Sequence, residues 1–87
     1  MDQHMPTTLF VGPYRLYFWA QDCAEPRHTH VDRDSQSAKF WLDPEVRLAH
    51  NLGFSRSELR KIERIVDEHL ETLRDEWDRF CINARTS

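Results

Sequence analysis

Residues 28–42 read HTHVDRDSQSAKFWL, and the alternation of their polar and apolar side chains predicts a β-hairpin. The polar segment Asp34–Ser37 separates two strands, His28–Arg33 and Ala38–Leu42. A loop of two or four residues pairs side chains of like character, whereas a loop of three would mix the two faces, and register is normally specified against that. The expected pairs are Val31 with Phe40, Thr29 with Leu42, Asp32 with Lys39 and His30 with Trp41.

The hairpin is expected to belong to a small antiparallel sheet of three or four strands. Residues Tyr14–Trp19 read YRLYFW, which is apolar on both faces and predicts a strand. Asp43-Pro44-Glu45 predicts a turn, and Val46–Asn51 after it is either a fourth strand or a helical turn. Residues 1–13 contain two prolines and a glycine, which predicts an N-terminal arm or an edge of the sheet. The sheet therefore occupies residues 14–51.

Residues 55–80 contain no glycine or proline, and their apolar residues recur at three- and four-residue spacing. This pattern predicts one long amphipathic helix, followed by a tail over residues 81–87. Ser55 and Glu58 form a capping box, and Phe54 is placed to pack on Leu59. The helix stripe should pack on Phe18, Val31, Phe40 and Leu42 of one sheet face, and it consists of Leu59, Ile62, Val66, Leu70, Leu73 and Trp77. The fold class is α+β, with one long C-terminal helix across the sheet.

The length and composition indicate one domain, residues 1–87, because a chain this short has no room for two hydrophobic cores. A net charge of −3 argues against wholesale nucleic-acid binding. No apolar run approaches the ~20 residues that cross a bilayer, and the N-terminus lacks the regions of a signal peptide. Cys23 and Cys81 are too few for a disulfide framework, so we expect free thiols in a reducing cytoplasm.

The second face of the sheet is expected to present an aromatic and basic surface, because one helix covers only the first face. Large exposed apolar patches mark interaction sites. The leading expectation is therefore a cytoplasmic interaction module that binds a protein partner, or a second copy of itself, through this face. The expected partner-binding residues are Arg15, Tyr17, Trp19, His30, Lys39 and Trp41.

His28 and His30 lie on the same face, since alternate residues of a strand point the same way. The two imidazoles are suited to binding one metal ion with a carboxylate from Asp32 or Glu25. A structural site needs four ligands, however, and the favoured interpretation is that one histidine stacks on Trp41 and the other bonds to the backbone. The sequence therefore predicts no metal and no cofactor.

An acid–base role for the two histidines is the alternative. Imidazoles titrate near neutral pH, and Arg27 or Arg33 is placed to stabilise a phosphate. His28 and His30 are thus candidate catalytic residues of a small RNA-directed enzyme or toxin, with RNA as the partner. The spacing alone commits no residue to catalysis.

Arg56, Arg60 and Arg64 repeat at four-residue spacing in the first half of the helix. One interpretation is a candidate anion-binding surface on a charge-segregated helix. The favoured alternative is a solvated face with pairs such as Arg64–Glu68, each worth a few tenths of a kcal/mol.

Three segments, EPRHTHV, AKFWLDP and ELRKIE, make the chain resemble a family of small bacterial proteins catalogued as domain of unknown function 4160. The resemblance extends over Tyr14–Phe80. The family usually has a second proline where this chain has Arg27 and an apolar residue where it has Thr29. The resemblance implies a protein often encoded beside another small protein, as in a two-gene toxin–antitoxin module, and it supplies no catalytic residue.

Overall fold

The computed structural model describes the backbone of residues 7–86 and the side chains of residues 9–82. Five antiparallel strands form one sheet in the order β1-β2-β3-β4-β5, and two α-helices follow. The α+β class is confirmed, but the sheet has five strands rather than three or four, and two α-helices stand in place of one long helix. The strands are β1 (Thr7–Val11), β2 (Tyr14–Tyr17), β3 (His28–Arg33), β4 (Gln36–Trp41) and β5 (Arg47–Leu52); the helices are α1 (Arg56–Glu68), α2 (Leu70–Thr86) and a 3₁₀ helix (Ala20–Ala24).

The two edge strands extend the predicted sheet at both ends. β1 lies in the segment expected to be an arm or an edge and forms the edge beside β2, while residues 1–6 of that segment lie outside the described residues. Gly12 adopts a φ of 56° in the turn between the two strands, where a side chain would be strained. At the other end, the segment predicted as Val46–Asn51 forms a strand rather than a helical turn, with bounds Arg47–Leu52.

The β3–β4 hairpin has the predicted faces but not the predicted register. Asp34 adopts a φ of 57°, the turn contains only Asp34 and Ser35, and Arg33 pairs with Gln36. Each predicted pair is therefore wrong by two residues. The faces survive because side-chain direction repeats every two residues along a strand. The observed pairs are His28–Trp41, Thr29–Phe40, His30–Lys39, Val31–Ala38 and Asp32–Ser37.

The predicted single helix is interrupted at His69. It begins as expected, with the Ser55 hydroxyl accepting the Glu58 backbone N–H at 3.2 Å. At the interruption, His69 Nδ1 lies 2.9 Å from the Ile65 carbonyl oxygen, which also accepts the His69 backbone N–H. A side chain that competes for a backbone carbonyl disturbs the helical ladder at that point. Because α2 continues to Thr86, the expected helix end at Phe80 and the tail from residue 81 are wrong.

The main core lies between the sheet and the apolar stripe of the helices, as predicted. Leu59 and Leu70 of the stripe are half-buried and pack on this core, while its other members are buried: Ile62, Val66, Leu73 and Trp77. A second, smaller cluster combines Phe18, Trp77 and Cys81 beneath α2. Within residues 7–86, no helix has the length and apolarity needed to span a bilayer.

Cys23 and Cys81 form a disulfide, so the expectation of free thiols is wrong. Their Cα atoms are 5.5 Å apart although 58 positions separate them in the sequence. Such a distant pair has no recognisable spacing, and only the fold brings the two side chains together. The bond ties the 3₁₀ helix to α2.

Candidate functional site

The second face of the sheet is partly closed by the chain that follows β2. Tyr17 is only 6% exposed, which contradicts the expectation that it is an exposed contact residue. Its ring stacks on His30 at 5.3 Å and meets the edge of Trp19 at 5.8 Å, and the Arg15 guanidinium lies 4.6 Å from its centroid. Burial raises the pKa of Tyr17 to about 12, with a hydrogen bond to the Asp32 carboxylate adding to the effect. The aromatic groups around β2 therefore cover one another.

The β4 side of this face stays more open. Trp19, His30, Lys39 and Trp41 are half-buried, so each keeps part of its surface in solvent. Lys39 Nζ lies 4.5 Å from the Trp41 ring centroid and 2.8 Å from a carboxylate oxygen of Glu25. A cation over an indole face is favourable, and it holds the Trp41 ring in place.

The register of β5 extends this open area to the edge of the sheet. Trp41 lies opposite Arg47, and Lys39 lies opposite His50. Among the six β5 residues only Asn51 is not exposed; Leu48 is 45% and Leu52 is 58% exposed. Five residues that share this face are named here the Trp41 patch: Lys39, Trp41, Arg47, His50 and Leu52.

A second cluster joins Asp22 of the 3₁₀ helix to His28 and His30 of β3. Asp22 Oδ2 lies 2.9 Å from His30 Nε2 and 3.2 Å from His28 Nε2. The His28 side chain is fully buried against Trp41 and Trp77, with ring centroids 5.6 and 5.0 Å away. The predicted interactions are found only in part, because His28 makes both: it meets Trp41 edge-on rather than stacked, and its Nδ1 lies 2.9 Å from the Pro26 carbonyl oxygen.

The charges of this cluster follow from its burial. Burial lowers the pKa of His28, although the Pro26 carbonyl and the Asp22 carboxylate act in the opposite direction. Burial would raise the pKa of Asp22, but the Trp19 backbone N–H at 2.8 Å and the two imidazoles outweigh it and hold that pKa below its usual range. At neutral pH the cluster therefore holds a carboxylate beside a neutral His28.

Asp22 is the member of the cluster that sequence reasoning missed. The two carboxylates considered instead are engaged elsewhere: Asp32 binds Tyr17 and Ser37, and Glu25 binds Lys39. Asp22 precedes His28 by six positions and lies on a different element, so no strand periodicity connects them. Its one sequence cue is its place three residues after Trp19, where a carboxylate can accept the N–H at a helix start.

Two departures from the family pattern have structural partners. The Arg27 guanidinium binds Asp43 at 2.8 and 3.1 Å and Asp78 at 2.8 Å, which fixes the segment before β3 against α2. Thr29 is buried at 1% exposure, and its hydroxyl lies 3.4 Å from the Tyr17 carbonyl oxygen. The polar atoms of both side chains are thus satisfied.

The arginine surface of α1 is mixed in charge. Arg56, Arg60 and Arg64 are all exposed, and the last two line a shallow groove beside Arg47. The same groove is lined by three carboxylates, which belong to Glu45, Glu63 and Asp67. Alternating charges of this kind are typical of a solvated helix face.

Comparison with known proteins gives one family. The family model described as Domain of unknown function (DUF4160) matches residues 14–78, about three quarters of the chain. The match includes the whole sheet except β1, the Asp22–His28–His30 cluster and the Trp41 patch. Neither the curated proteins nor the solved structures contain a significant match to the chain.

Proposed function

We propose that this chain, which belongs to the DUF4160 family, is a binding module that takes a protein partner on the Trp41 patch and along the free edge of β5. The observation that carries the proposal is the exposure of β5. Five of its six residues are exposed, including two leucines, and within the described residues no strand pairs with its outer edge. Long exposed edge strands are normally protected, because they accept further strands.

The partner is proposed to be an acidic protein segment in an extended conformation. An extended segment added to β5 satisfies the unpaired backbone groups of the edge and buries the exposed side chains beside it. The patch itself contains Lys39, Arg47 and His50; Glu25 pairs with Lys39 at 2.8 Å, and Arg47 and His50 are exposed beside that pair. Charge complementarity therefore favours acidic side chains on the partner and speeds its association.

The environment of His28 favours this proposal over RNA cleavage. A general acid or base must come within hydrogen-bond reach of the substrate atom that it protonates or deprotonates. The His28 side chain is fully buried beneath Trp41 and Trp77, where no phosphodiester can approach it. A binding surface, in contrast, needs only the half-buried indole of Trp41.

The partner is proposed to be the small protein encoded beside the chain, as in a toxin–antitoxin pair. The test is co-expression of both proteins, followed by light scattering on what co-purifies, with the chain alone as the reference. Trp41→Ser and Leu52→Ser should weaken or abolish the complex, while Phe10→Ser should leave it intact. Phe10 is the matched control because it is 70% exposed on β1, the opposite edge of the sheet.

Three results would contradict the proposal. A complex lost in Phe10→Ser but kept in Trp41→Ser would move the interface to β1. A chain that is dimeric alone, and becomes monomeric on Trp41→Ser, would show that a second copy occupies the patch. The toxin–antitoxin part would be contradicted if cells that express either protein alone grow at the same rate as cells that express both.

The proposal places the complex in the cytoplasm, and the disulfide sets a condition on that location. Cytoplasmic thiols are kept reduced, whereas disulfides persist in oxidising compartments. Alkylation of acid-quenched cells, followed by mass measurement, tests this location, because a reduced Cys23–Cys81 pair would support the cytoplasm. An oxidised pair in freshly quenched cells would indicate an oxidising compartment instead.

A further inference from the structure

The Asp22–His28–His30 cluster has a property that the binding proposal does not use. It is the one place among the described residues where three side chains of the metal-ligating types converge. One ligand atom from each of the three lies within 4.8 Å of the other two. The cluster is also well enclosed, since the side chains of Asp22 and His30 are 11% and 19% exposed and that of His28 is fully buried.

His28 presents a buried nitrogen whose hydrogen-bonding capacity is not met. The Pro26 carbonyl oxygen only accepts hydrogen bonds, so Nδ1 at 2.9 Å from it carries the proton. Nε2 then carries a lone pair and faces the Asp22 carboxylate at 3.2 Å without a hydrogen bond. Two acceptors that face each other in a buried site are unfavourable. The other neutral tautomer only moves the same conflict to the Pro26 carbonyl.

A cation between the two acceptors removes this conflict. One such cation is a second proton on His28, but a fully buried imidazole resists charging. The other is a metal ion, which binds through the Nε2 lone pair. That lone pair is available because the His28 proton lies on Nδ1, where it is donated to the Pro26 carbonyl oxygen. A backbone carbonyl that holds the far nitrogen of a histidine is the usual outer support of a metal ligand.

We propose that Asp22, His28 and His30 bind a divalent first-row transition-metal ion, with Zn²⁺ as the ion best suited to them. Bonds of about 2.1 Å place neighbouring ligand atoms of a tetrahedral ion about 3.4 Å apart. The Asp22–His28 and Asp22–His30 distances, 3.2 and 2.9 Å, need to open by only a few tenths of an ångström. His30 joins through Nε2 with its proton on Nδ1, and a fourth position remains for water or another ligand.

The ligand set defines which ions bind. Two imidazoles and one carboxylate suit Zn²⁺, Co²⁺ and Ni²⁺, whereas Mg²⁺ and Ca²⁺ prefer oxygen ligands alone. The ion would link the 3₁₀ helix to β3, next to the point where Cys23 links the same helix to α2. Metal binding would therefore hold the element that closes the second face of the sheet.

The test uses the untagged, oxidised chain in the absence of reductant. Titration calorimetry with Zn²⁺ should give one ion per chain, Co²⁺ should give the visible absorption of a tetrahedral site, and Mg²⁺ should give no heat. Asp22→Asn and His30→Gln should each weaken Zn²⁺ binding by at least the ~10–100-fold that removal of an outer-shell partner costs. Both variants spare fully buried His28, and the amide oxygen introduced by Asp22→Asn still accepts the Trp19 N–H, so the fold is expected to persist.

His50→Gln is the matched control, because His50 is an exposed histidine of β5 outside the cluster. It should bind Zn²⁺ as the wild type does, and Zn²⁺ should raise the melting temperature of both. Equal Zn²⁺ affinity in wild type, His30→Gln and Asp22→Asn would overturn the proposal. So would nitrogen NMR spectra in which His28 is doubly protonated at neutral pH and unchanged by Zn²⁺, because a proton would then occupy the place of the metal.

Discussion

At the scale of single residues, ion pairs order the segment before β3. A proline fixes φ and thereby orders a loop, whereas Arg27 orders the same segment through bidentate bonds to Asp43 and a bond to Asp78. Arg74 binds the turn after β4 that contains Asp43, and its guanidinium lies 2.8 Å from the Leu42 carbonyl oxygen. The segment before β3 is thus held by ion pairs to Asp43 and Asp78.

The Glu58 carboxylate should make stability depend on pH. It accepts hydrogen bonds from Arg33 at 2.8 and 3.0 Å and from Tyr14 at 2.7 Å, and these bonds, led by Arg33, lower its pKa. A carboxylate with a lowered folded-state pKa stabilises the fold fully above the unfolded value, about 4.3 for glutamate, and this contribution is lost as the pH falls through the folded value. Urea unfolding of wild type between about pH 6 and pH 3 should show the loss.

Glu58→Gln should be less stable than wild type near neutral pH and should lose less stability on acidification. Glu68→Gln, which removes an exposed charge from the same helix, controls for the change in net charge. Parallel pH profiles for wild type and Glu58→Gln would show that the bonds to Arg33 and Tyr14 do not contribute.

The members of the histidine cluster differ in how far the sequence predicts them. His28 and His30 stand out because two-residue spacing in a strand places side chains on one face. Asp22 does not, since its approach depends on the fold of the 3₁₀ helix rather than on any periodicity. Two of the three residues proposed to bind metal are therefore visible in the sequence, where the prediction of no metal rested on the four ligands that a structural site needs.

At the scale of secondary structure, the sequence predicts faces better than partners. Alternation assigns each β3 and β4 residue to the correct face, but the matched character of cross-strand pairs favours the wrong register. Such pairs are worth only about 0.2–1 kcal/mol each, whereas the turn fixes register directly. Asp34, with its positive φ, begins the turn immediately after Arg33. Aspartate tolerates that conformation, which is the cue in the sequence for the shorter turn.

The helix stripe was predictable because its three- and four-residue spacing survives the interruption at His69. Leu73 of α2 is 3% exposed and joins the core formed by the sheet and α1. Leu73→Ala should lower the free energy of unfolding by about 2–5 kcal/mol, since buried methyl groups are lost and a cavity remains. Thr72→Ala, an exposed change on the same turn, should alter it by no more than about 0.5 kcal/mol in the same urea titration. Equal effects of the two changes would contradict the assigned stripe.

At the scale of the whole molecule, the closure of the second face was the feature hidden from the sequence. α1 and the start of α2 cover the first face, but the 3₁₀ helix and Trp77 of α2 cover part of the second. Trp19 of the connection covers Tyr17, and Trp77 of α2 packs on His28. The Trp77 contact does not follow from local periodicity, because it depends on where α2 packs, whereas Trp19 lies only two residues after Tyr17. What the sequence did predict is that aromatic and basic residues gather on this face.

The disulfide should supply part of the global stability. Cross-linking residues 58 positions apart restricts the unfolded chain, and removal of a native disulfide from a small domain typically costs about 2–5 kcal/mol. Reductant and the double variant Cys23→Ser/Cys81→Ser remove the same bond, so each should lower the urea midpoint by about the same amount. Reductant should have no effect on the double variant. An unchanged midpoint for wild type whose thiols are shown to be reduced would contradict this contribution.

We propose that a partner occupies the Trp41 patch and the free edge of β5. Amide hydrogen exchange measures this occupancy directly. Exchange is measured on the chain alone and in the complex with the protein encoded beside it, since occupied backbone N–H groups exchange more slowly. We expect slower exchange in peptides that cover Arg47–Leu52, and unchanged exchange in Thr7–Val11 of β1. Protection confined to β1 or to α2, with β5 exchanging as in the free chain, would contradict it.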